Sequence, residues 1–154
     1  RDEIINEIEC SMLLYFTGRS RESANIINDQ IHTAESGDGG SLQAMHSVKK
    51  SAVEMKEALL KADIRTMAAI LREAWEAKRK MAKSISNPHI DEIYGRAMDA
   101  GALSAKISGA GGGGFMMMFV EPTSRLDVMS ALSGLQGSFY RFHFTKEGAQ
   151  GWHI

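Results

Sequence analysis

Four stretches of the chain carry apolar side chains in the alternating or continuous patterns typical of β-strands. They span residues 8–16, 104–108, 115–120 and 138–144. Both faces of the first predicted strand are apolar, which indicates a central position in a sheet. In the last one, Tyr140, Phe142 and Phe144 take every second position, which predicts one buried and one solvent-facing side.

Between these strands, apolar residues recur every three or four positions, as on one face of an α-helix. Five helices are predicted, over residues 20–35, 42–59, 64–81, 87–100 and 123–135. Ser20 is the predicted N-cap of the first helix, and Asn87 followed by Pro88 starts the fourth, which Gly101 ends. The core-facing positions are predicted as Ala24, Ile27, Ile31 and Ala34 in the first helix and Leu42, Met45, Val48, Ala52, Met55 and Leu59 in the second. In the third they are Ile64, Met67, Leu71, Trp75, Lys78 and Met81.

The order of these elements predicts the fold. It is a strand, several helices, two strands, a helix and a strand, which matches the β-α-β-β-α-β plan of ferredoxin-like α+β domains with a four-stranded antiparallel sheet. The extra helices fall in the first crossover. The sequence shows no repeat or low-complexity linker, so we predict a single domain over residues 1–154.

Composition narrows the function classes. The chain has 154 residues, a net charge of −1 and 44% hydrophobic residues, so it can form a core but offers no basic surface for nucleic acid. With a single cysteine, Cys10, it has no internal disulfide, which fits a reducing compartment. We expect no membrane span and no signal peptide. Because the chain begins at Arg1 without an initiator methionine, it is expected to be a fragment of a longer protein.

The loop between the second and third predicted strands has the most unusual composition. Five of its six residues from Gly109 to Gly114 are glycine, and only Ala110 interrupts the run. Glycine loses more conformational entropy on folding than other residues, so such a run indicates positive φ angles or close approach of a ligand to the backbone. Exposed N–H groups in such loops bind anions, and phosphate above all.

The residues around this loop exclude the best-known glycine motifs. Gly109, Gly111 and Gly114 match G-x-G-x-x-G, but a strand follows where a dinucleotide-binding fold needs a helix. Phe115 stands where a Walker A loop needs lysine, and the other protein-kinase signatures are missing. A β-hairpin with a mobile tip remains the structural alternative, although hairpins need only one or two glycines.

Other polar residues have a structural explanation at least as good as a functional one. Lys106 could reach a phosphate but is expected to be a surface lysine at a strand edge. Ser108 could donate a hydrogen bond to a ligand or be a plain loop residue. Asp38 is expected in a helix-breaking turn, Trp75 in the core, and the five histidines form no pair with metal-ligand spacing. For Arg19 and Arg21, which follow a strand end, surface or capping roles are the default.

The segment 106–115, Lys-Ile-Ser-Gly-Ala-Gly-Gly-Gly-Gly-Phe, resembles the third conserved motif of the GHMP kinases, in their C-terminal ferredoxin-like domain. The segments 14–18, 20–24, 73–78 and 85–94 resemble the D-glycero-D-manno-heptose 7-phosphate kinase branch of that family. The resemblance implies transfer of the ATP γ-phosphate to the anomeric hydroxyl of a heptose 7-phosphate, with Mg²⁺, by a cytoplasmic enzyme of surface-polysaccharide biosynthesis. It implies ATP contacts at Ser108, Gly109, Ala110, Gly111, Gly112, Gly113 and Gly114. In the intact enzyme, Arg19 and Arg21 could contact the sugar phosphate.

The first and second GHMP motifs, which shape the sugar site and cradle ATP, do not occur in these residues. We therefore expect the chain to be a C-terminal domain whose partners are its own N-terminal domain and a sugar phosphate. The catalytic residues and the Mg²⁺ ligands would lie in that N-terminal domain, with none in this chain, and the fragment alone would be inactive. Two alternatives stay open: another small-molecule GHMP kinase, of galactokinase or mevalonate kinase type, or a free-standing ferredoxin-like ligand-binding module.

Overall fold

A four-stranded antiparallel sheet organises the molecule. The computed structural model of the chain describes residues 2–19 and 23–152. The strands are β1 (Met12–Phe16), β2 (Ala102–Ile107), β3 (Phe115–Val120) and β4 (Ser138–Tyr140), in the order β2-β3-β1-β4. Since β1 pairs with both β3 and β4, its predicted central position is confirmed. This strand order and the alternation of elements confirm the predicted ferredoxin-like class.

Six α-helices lie in the described part of the chain. They are α1 (Asp2–Cys10), α2 (Ser23–Glu35), α3 (Gly39–Leu60), α4 (Ile64–Arg79), α5 (Pro88–Asp99) and α6 (Arg125–Leu132), with short 3₁₀ turns at Lys83–Ile85 and Pro122–Ser124. Asn87 caps α5 as predicted, its Oδ1 accepting from the Ile90 amide at 3.1 Å. Gly101 follows α5 with φ +100°, as expected of a C-terminal cap.

The first predicted strand, over residues 8–16, is wrong at its start, because residues 8–10 belong to helix α1. The strand begins only at Met12, because residues 8–10 complete a helix whose Ile4 and Ile8 pack on the core four positions apart. The negative charges of Asp2 and Glu3 in its first turn stabilise the helix by interacting with its dipole. The alternation of Ile8, Glu9, Cys10 and Ser11 fits the end of a helix as well as a strand.

The predicted buried faces of α2 and α3 are confirmed only in part: Met55 of α3 packs on the core, whereas most of the other predicted positions are exposed. In α2, Ile26 is buried while Ile27 and Ile31 are about half exposed, and the predicted N-cap Ser20 lies outside the described residues. In α3 the buried positions are instead Ser41, Ala44, Ser51 and Ala58. Small residues at this spacing let α3 pack closely against α4, so helix–helix contact took precedence over the longer apolar stripe. Asp38 is the N-cap of α3, accepting from the Gly40 and Ser41 amides.

The C-terminal part also departs from prediction. Helix α6 is shorter than the predicted 123–135, and β4 ends at Tyr140 rather than at residue 144. Tyr140 and Phe144 are each about half exposed, so the predicted buried side is wrong for both. Phe139 packs instead on the core, with its ring 4.8 Å from that of Tyr15. Two residues before β4, Gln136 lies close to Gly18, where an added Cβ would come within 2.8 Å of the Gln136 Cγ.

The sheet is covered on both faces, and alternation along the strands divides the core in two. Met116, Met118 and Val120 of β3 belong to a cluster with α5 and α6, to which Trp75 of α4 also belongs. Met117 and Phe119 belong to a second cluster with α1, α3 and α4. Helix α4 thus reaches both clusters, as its predicted apolar face required, and its C-terminal end lies beside the loop between β2 and β3.

Candidate phosphate-binding site

The glycine loop, residues 108–114, joins β2 to β3 and packs against two other segments of the chain. A Cβ on Gly111, where φ is +123°, would lie 2.8 Å from the carbonyl oxygen of Ile85. A Cβ on Gly113 would lie 2.7 Å from the carbonyl oxygen of Arg19. Real Cβ atoms do not approach oxygen so closely, so glycine at these positions allows the loop its close contact. This contact argues against a hairpin with a mobile tip.

Backbone hydrogen bonds hold the loop in place. The Gly112 amide donates to Ile85 at 2.8 Å, and the Gly114 amide donates to Arg19 at 2.8 Å. The Gly114 carbonyl in turn accepts from the Thr17 amide at 2.9 Å. The loop is therefore fixed between the end of β1 and the segment that precedes α5.

Three side chains draw loop carbonyls toward the body of the domain. Lys78 Nζ donates to the Gly109 oxygen, Gln30 Nε2 to the Ala110 oxygen at 3.2 Å and Asn87 Nδ2 to the Gly112 oxygen at 3.2 Å. Several backbone amides of the loop differ from its carbonyls in their hydrogen bonding. The amides of Gly109, Ala110, Gly111 and Gly113 donate no hydrogen bond to an acceptor among residues 2–19 and 23–152. An anion-binding loop needs backbone amides that are available as donors. The glycine loop meets this need, because side chains of the domain hold its carbonyls while several of its amides remain available.

The N-terminus of α5 supports this arrangement. Asn87 both caps α5 and holds Gly112, through the two ends of one amide group. His89 Nε2 lies 2.8 Å from the Thr17 carbonyl oxygen, so its Nε2–H donates there and fixes the tautomer. The segment 85–94, singled out in the sequence for its resemblance to heptose-phosphate kinases, thus holds the loop and the end of β1 together.

Lys78 is the residue that sequence reasoning missed. Its side chain is only 9% exposed, and burial together with the nearby Lys106 ammonium lowers its pKa to about 8. The signal was present in the sequence, because Lys78 occupies a position in the apolar stripe of α4, where a charged residue is costly. Lys106 does lie on the edge strand β2, but it is half-buried rather than a surface lysine, and burial lowers its pKa.

The other candidates lie apart from this arrangement or take structural roles. Ser108 is exposed and its amide closes the hairpin by donating to the Phe115 oxygen at 2.8 Å. Arg19 is exposed and contributes its carbonyl to the loop, while Arg21 lies outside the described residues. Trp75 is fully buried in the core. In the described part of the chain, no group of three or more His, Cys, Asp or Glu side chains could hold a metal ion. Nor is any helix there long and apolar enough to cross a membrane.

Comparison with known proteins identifies the family to which this domain belongs. Residues 55–134, from the last turns of α3 to just beyond α6, match the family model described as GHMP kinases C terminal. The chain belongs to this family. The glycine loop lies within the matched region of this GHMP domain, as does the α5 segment that holds it.

Two relatives agree with the predicted branch of the GHMP family. The chain is 44% identical over 151 residues to a D-glycero-alpha-D-manno-heptose 7-phosphate kinase of Campylobacter jejuni, covering 98% of this chain and 44% of that protein. It is 37% identical to the crystal structure of a D-glycero-D-manno-heptose 1-phosphate kinase from Bacteroides thetaiotaomicron, with a TM-score of 0.66, covering all of this chain and 39% of that one. The resemblance seen in the sequence is thereby confirmed.

A more distant relative is another sugar kinase. The chain is 26% identical over 122 residues to an L-fucokinase/L-fucose-1-P guanylyltransferase of Bacteroides fragilis, covering 79% of this chain and 13% of that protein. The GHMP domain described here therefore spans less than half the length of each of these relatives.

Proposed function

We propose that this chain is the C-terminal domain of an ATP-dependent sugar kinase that phosphorylates the anomeric hydroxyl of D-glycero-D-manno-heptose 7-phosphate. The two heptose-phosphate kinases, at 44% and 37% identity over almost the whole chain, support this substrate class over others in the family. Their names place the existing phosphate at different carbons, so the position of transfer needs its own test.

The observation that carries the proposal is the polarity of the glycine loop. Its carbonyls accept hydrogen bonds from Lys78, Gln30 and Asn87, while four amides remain as donors within the described part of the chain. A phosphoryl group in transfer carries negative charge on its oxygens, and catalysis depends on donors already placed to receive it. A loop held rigidly in this way has no reorganisation to undergo when the phosphate arrives.

Bound ATP would supply the phosphoryl group, and the residues of this chain would bind and orient its phosphates through the amides of the glycine loop. The described residues offer no group of three or more His, Cys, Asp or Glu side chains that could hold Mg²⁺. The catalytic base, like the Mg²⁺ ligands, would lie outside this chain. An N-terminal domain, equivalent to the remaining length of the relatives, would supply those groups, and the chain alone would be inactive.

The test is an assay of this chain joined to its N-terminal half. ADP release is followed with ATP-Mg²⁺ and, in parallel, heptose 7-phosphate, heptose 1-phosphate, L-fucose, galactose and mevalonate. We expect turnover with heptose 7-phosphate, with ³¹P NMR showing a new phosphate on the anomeric carbon. The 154-residue chain by itself is the matched control and should release no ADP.

Preferred turnover of L-fucose would refute the heptose assignment and favour the alternative that the fucokinase relative represents. No turnover with any of these acceptors would refute the kinase proposal. The remaining alternative, a free-standing ligand-binding module, predicts tight binding of an anionic small molecule by the 154-residue chain, which calorimetry would detect.

A further inference from the structure

A cavity of about 500 Å³ lies near the start of β1, whereas the glycine loop contacts the residue after the end of that strand. The five residues of β1 separate the two places by roughly 16 Å. The walls of the cavity come from the second half of α1, the turn that leads into α6 and residues 140–143. Small-molecule sites in proteins have volumes of about 300–1,000 Å³, so a ligand of modest size would fit.

Part of the wall is apolar and aromatic. Pro122 and Tyr140 are exposed there, and Phe142 is half-buried. The Phe142 ring packs edge to face on that of Phe144, with centroids 5.7 Å apart, and the Tyr140 ring packs in the same way on that of Phe115 at 5.3 Å. These contacts hold the two rings while part of their surface still faces the cavity. Aromatic rings held in this way offer an apolar surface to a flat ligand.

Arg125 brings a fixed positive charge to the cavity. Its Nη1 donates to the carbonyl oxygens of Cys10 at 2.9 Å and of Met12 at 2.6 Å. The other N–H groups of this guanidinium donate to no acceptor among residues 2–19 and 23–152, so they remain available to a ligand. A guanidinium whose position is set beforehand loses little conformational entropy when it binds an anion.

Arg141 adds a second guanidinium to the same cavity. Its side chain is exposed and forms no hydrogen bond or ion pair with residues 2–19 or 23–152. Arg65, Arg79 and Arg96, by contrast, all pair with carboxylates. We call this space, between Arg125 and Arg141, the arginine cavity.

The carboxylate of Glu9 also lines the arginine cavity, but both of its oxygens already have partners. Oε1 accepts from the Phe144 amide at 2.7 Å, and Oε2 lies 2.9 Å from His143 Nδ1. The Phe144 amide and then His143 lower the pKa of Glu9, so the group is ionised and held by these two donors. Since two guanidinium groups face this single carboxylate, the cavity keeps a net positive charge.

A groove between α3 and α4 has a similar volume, about 540 Å³, but a different lining. Its lysines and arginines stand beside glutamates, and the described residues place no aromatic ring in its wall. Charges of both signs without apolar surface are typical of a solvated helix face. The combination of unpaired arginine donors with aromatic surface therefore distinguishes the arginine cavity.

We propose that the arginine cavity binds a small organic anion whose carboxylate or phosphate group is carried on a ring. Arg125 and Arg141 bind the anionic group, because a guanidinium donates parallel hydrogen bonds to the oxygens of either. Tyr140 and Phe142 contact the ring. The site is separate from the glycine loop, and it does not depend on the domain being part of a kinase.

The test titrates the 154-residue chain with phenyl phosphate and, separately, with benzoate, followed by NMR of the backbone amides and of the arginine Nε–H groups. We expect saturable binding, with a Kd on the order of 1 mM for a ligand of this size. The amides of residues 140–143 should shift, and so should the Nε–H groups of Arg125 and Arg141. The probe that binds more tightly identifies the anionic group. Inorganic phosphate and phenol, which each lack one half of the ligand, should bind about tenfold more weakly or worse.

Arg141→Met is the decisive variant, because Arg141 makes no hydrogen bond within the described residues and its removal leaves the contacts of the fold intact. It should weaken binding of the preferred probe about tenfold, as expected when a charge-assisted contact is lost. Arg72→Met removes the same charge from an exposed position of α4, so it is the matched control and should bind as the unmodified chain does. Equal binding by Arg141→Met and this control would overturn the proposal.

The position of the shifts separates this site from the glycine loop. Shifts confined to residues 108–114 would overturn the arginine cavity as a site and leave the proposed function standing. Shifts at residues 140–143 in a chain whose joined kinase has no activity would support the cavity and refute the proposed function alone. Inorganic phosphate that binds as tightly as phenyl phosphate would also overturn the proposal, since the aromatic wall would then contribute nothing.

Discussion

Replacing Lys78 by methionine tests the energetic cost of the buried amine. The change keeps a long, flexible side chain in the same space and removes the charge. Burial, aided by the neighbouring Lys106, lowers the pKa of Lys78 from 10.5 to about 8 in the folded chain. At 1.36 kcal/mol per pKa unit, this shift corresponds to roughly 3 kcal/mol by which the protonated form destabilises the fold at neutral pH.

The sign of the pH dependence follows from these two values. Below pH 8 the amine is protonated in both folded and unfolded states, so the full cost is present. Between about pH 8 and 10.5 the unfolded chain binds the proton and the folded chain does not, so the stability of the unmodified protein rises with pH. Above the unfolded value both states are neutral and the cost has disappeared.

Lys78→Met is therefore expected to be more stable than the unmodified chain at pH 7, by about 1–3 kcal/mol after loss of the bond to the exposed Gly109 carbonyl, which water can replace. Urea denaturation of both proteins at pH 7, 8, 9 and 10 measures the difference. This advantage should shrink steadily above pH 8. Titrating groups that do not interact with Lys78 are the same in both proteins and largely cancel. A variant that is less stable at pH 7, or a difference that does not change with pH, would refute the reasoning.

Two further changes test how the loop is held. Asn87→Asp keeps the acceptor that caps α5 and loses the donor to Gly112, so we expect a loss of stability of about 0.5–1.5 kcal/mol, with faster amide exchange in the loop. Asn87→Ala should also lose the cap and cost about 1 kcal/mol more. Unchanged stability and amide exchange in Asn87→Asp would show that the loop contact contributes nothing. Gly111→Ala should displace the loop from Ile85 and lower the melting temperature by several degrees. Gly109→Ala has open space around its Cβ, so at φ +82° it should cost only the roughly 1 kcal/mol of a strained backbone. Thermal denaturation of the two variants measures the difference, and equal costs would contradict the close contact at Gly111.

Local patterns predicted the elements whose neighbours in sequence decide them. The strand over Phe115–Val120 and the start of α5 at Asn87-Pro88 match the structure, because continuous apolar residues and a capping pair act within a few positions. The boundary between α1 and β1 was not predictable in this way. Residues 8–10 fit either state, and packing of Ile4 and Ile8 in the second core cluster selects the helix.

For the candidate site too, some features follow from local sequence and others only from the tertiary structure. The sequence by itself determined that residues 109–114 form an unusual loop between two strands, since glycine content and flanking residues are local facts. Only the tertiary structure decided which way its peptide groups point, because Lys78, Gln30 and Asn87 come from three different helices or their ends and meet at the loop only after folding. The same holds for the pair of lysines: their separation of 28 positions says nothing about distance, and the packing of α4 on β2 places two like charges together. Charge and hydrogen bonding act through space, so the chemistry of this loop is set by the fold that surrounds it.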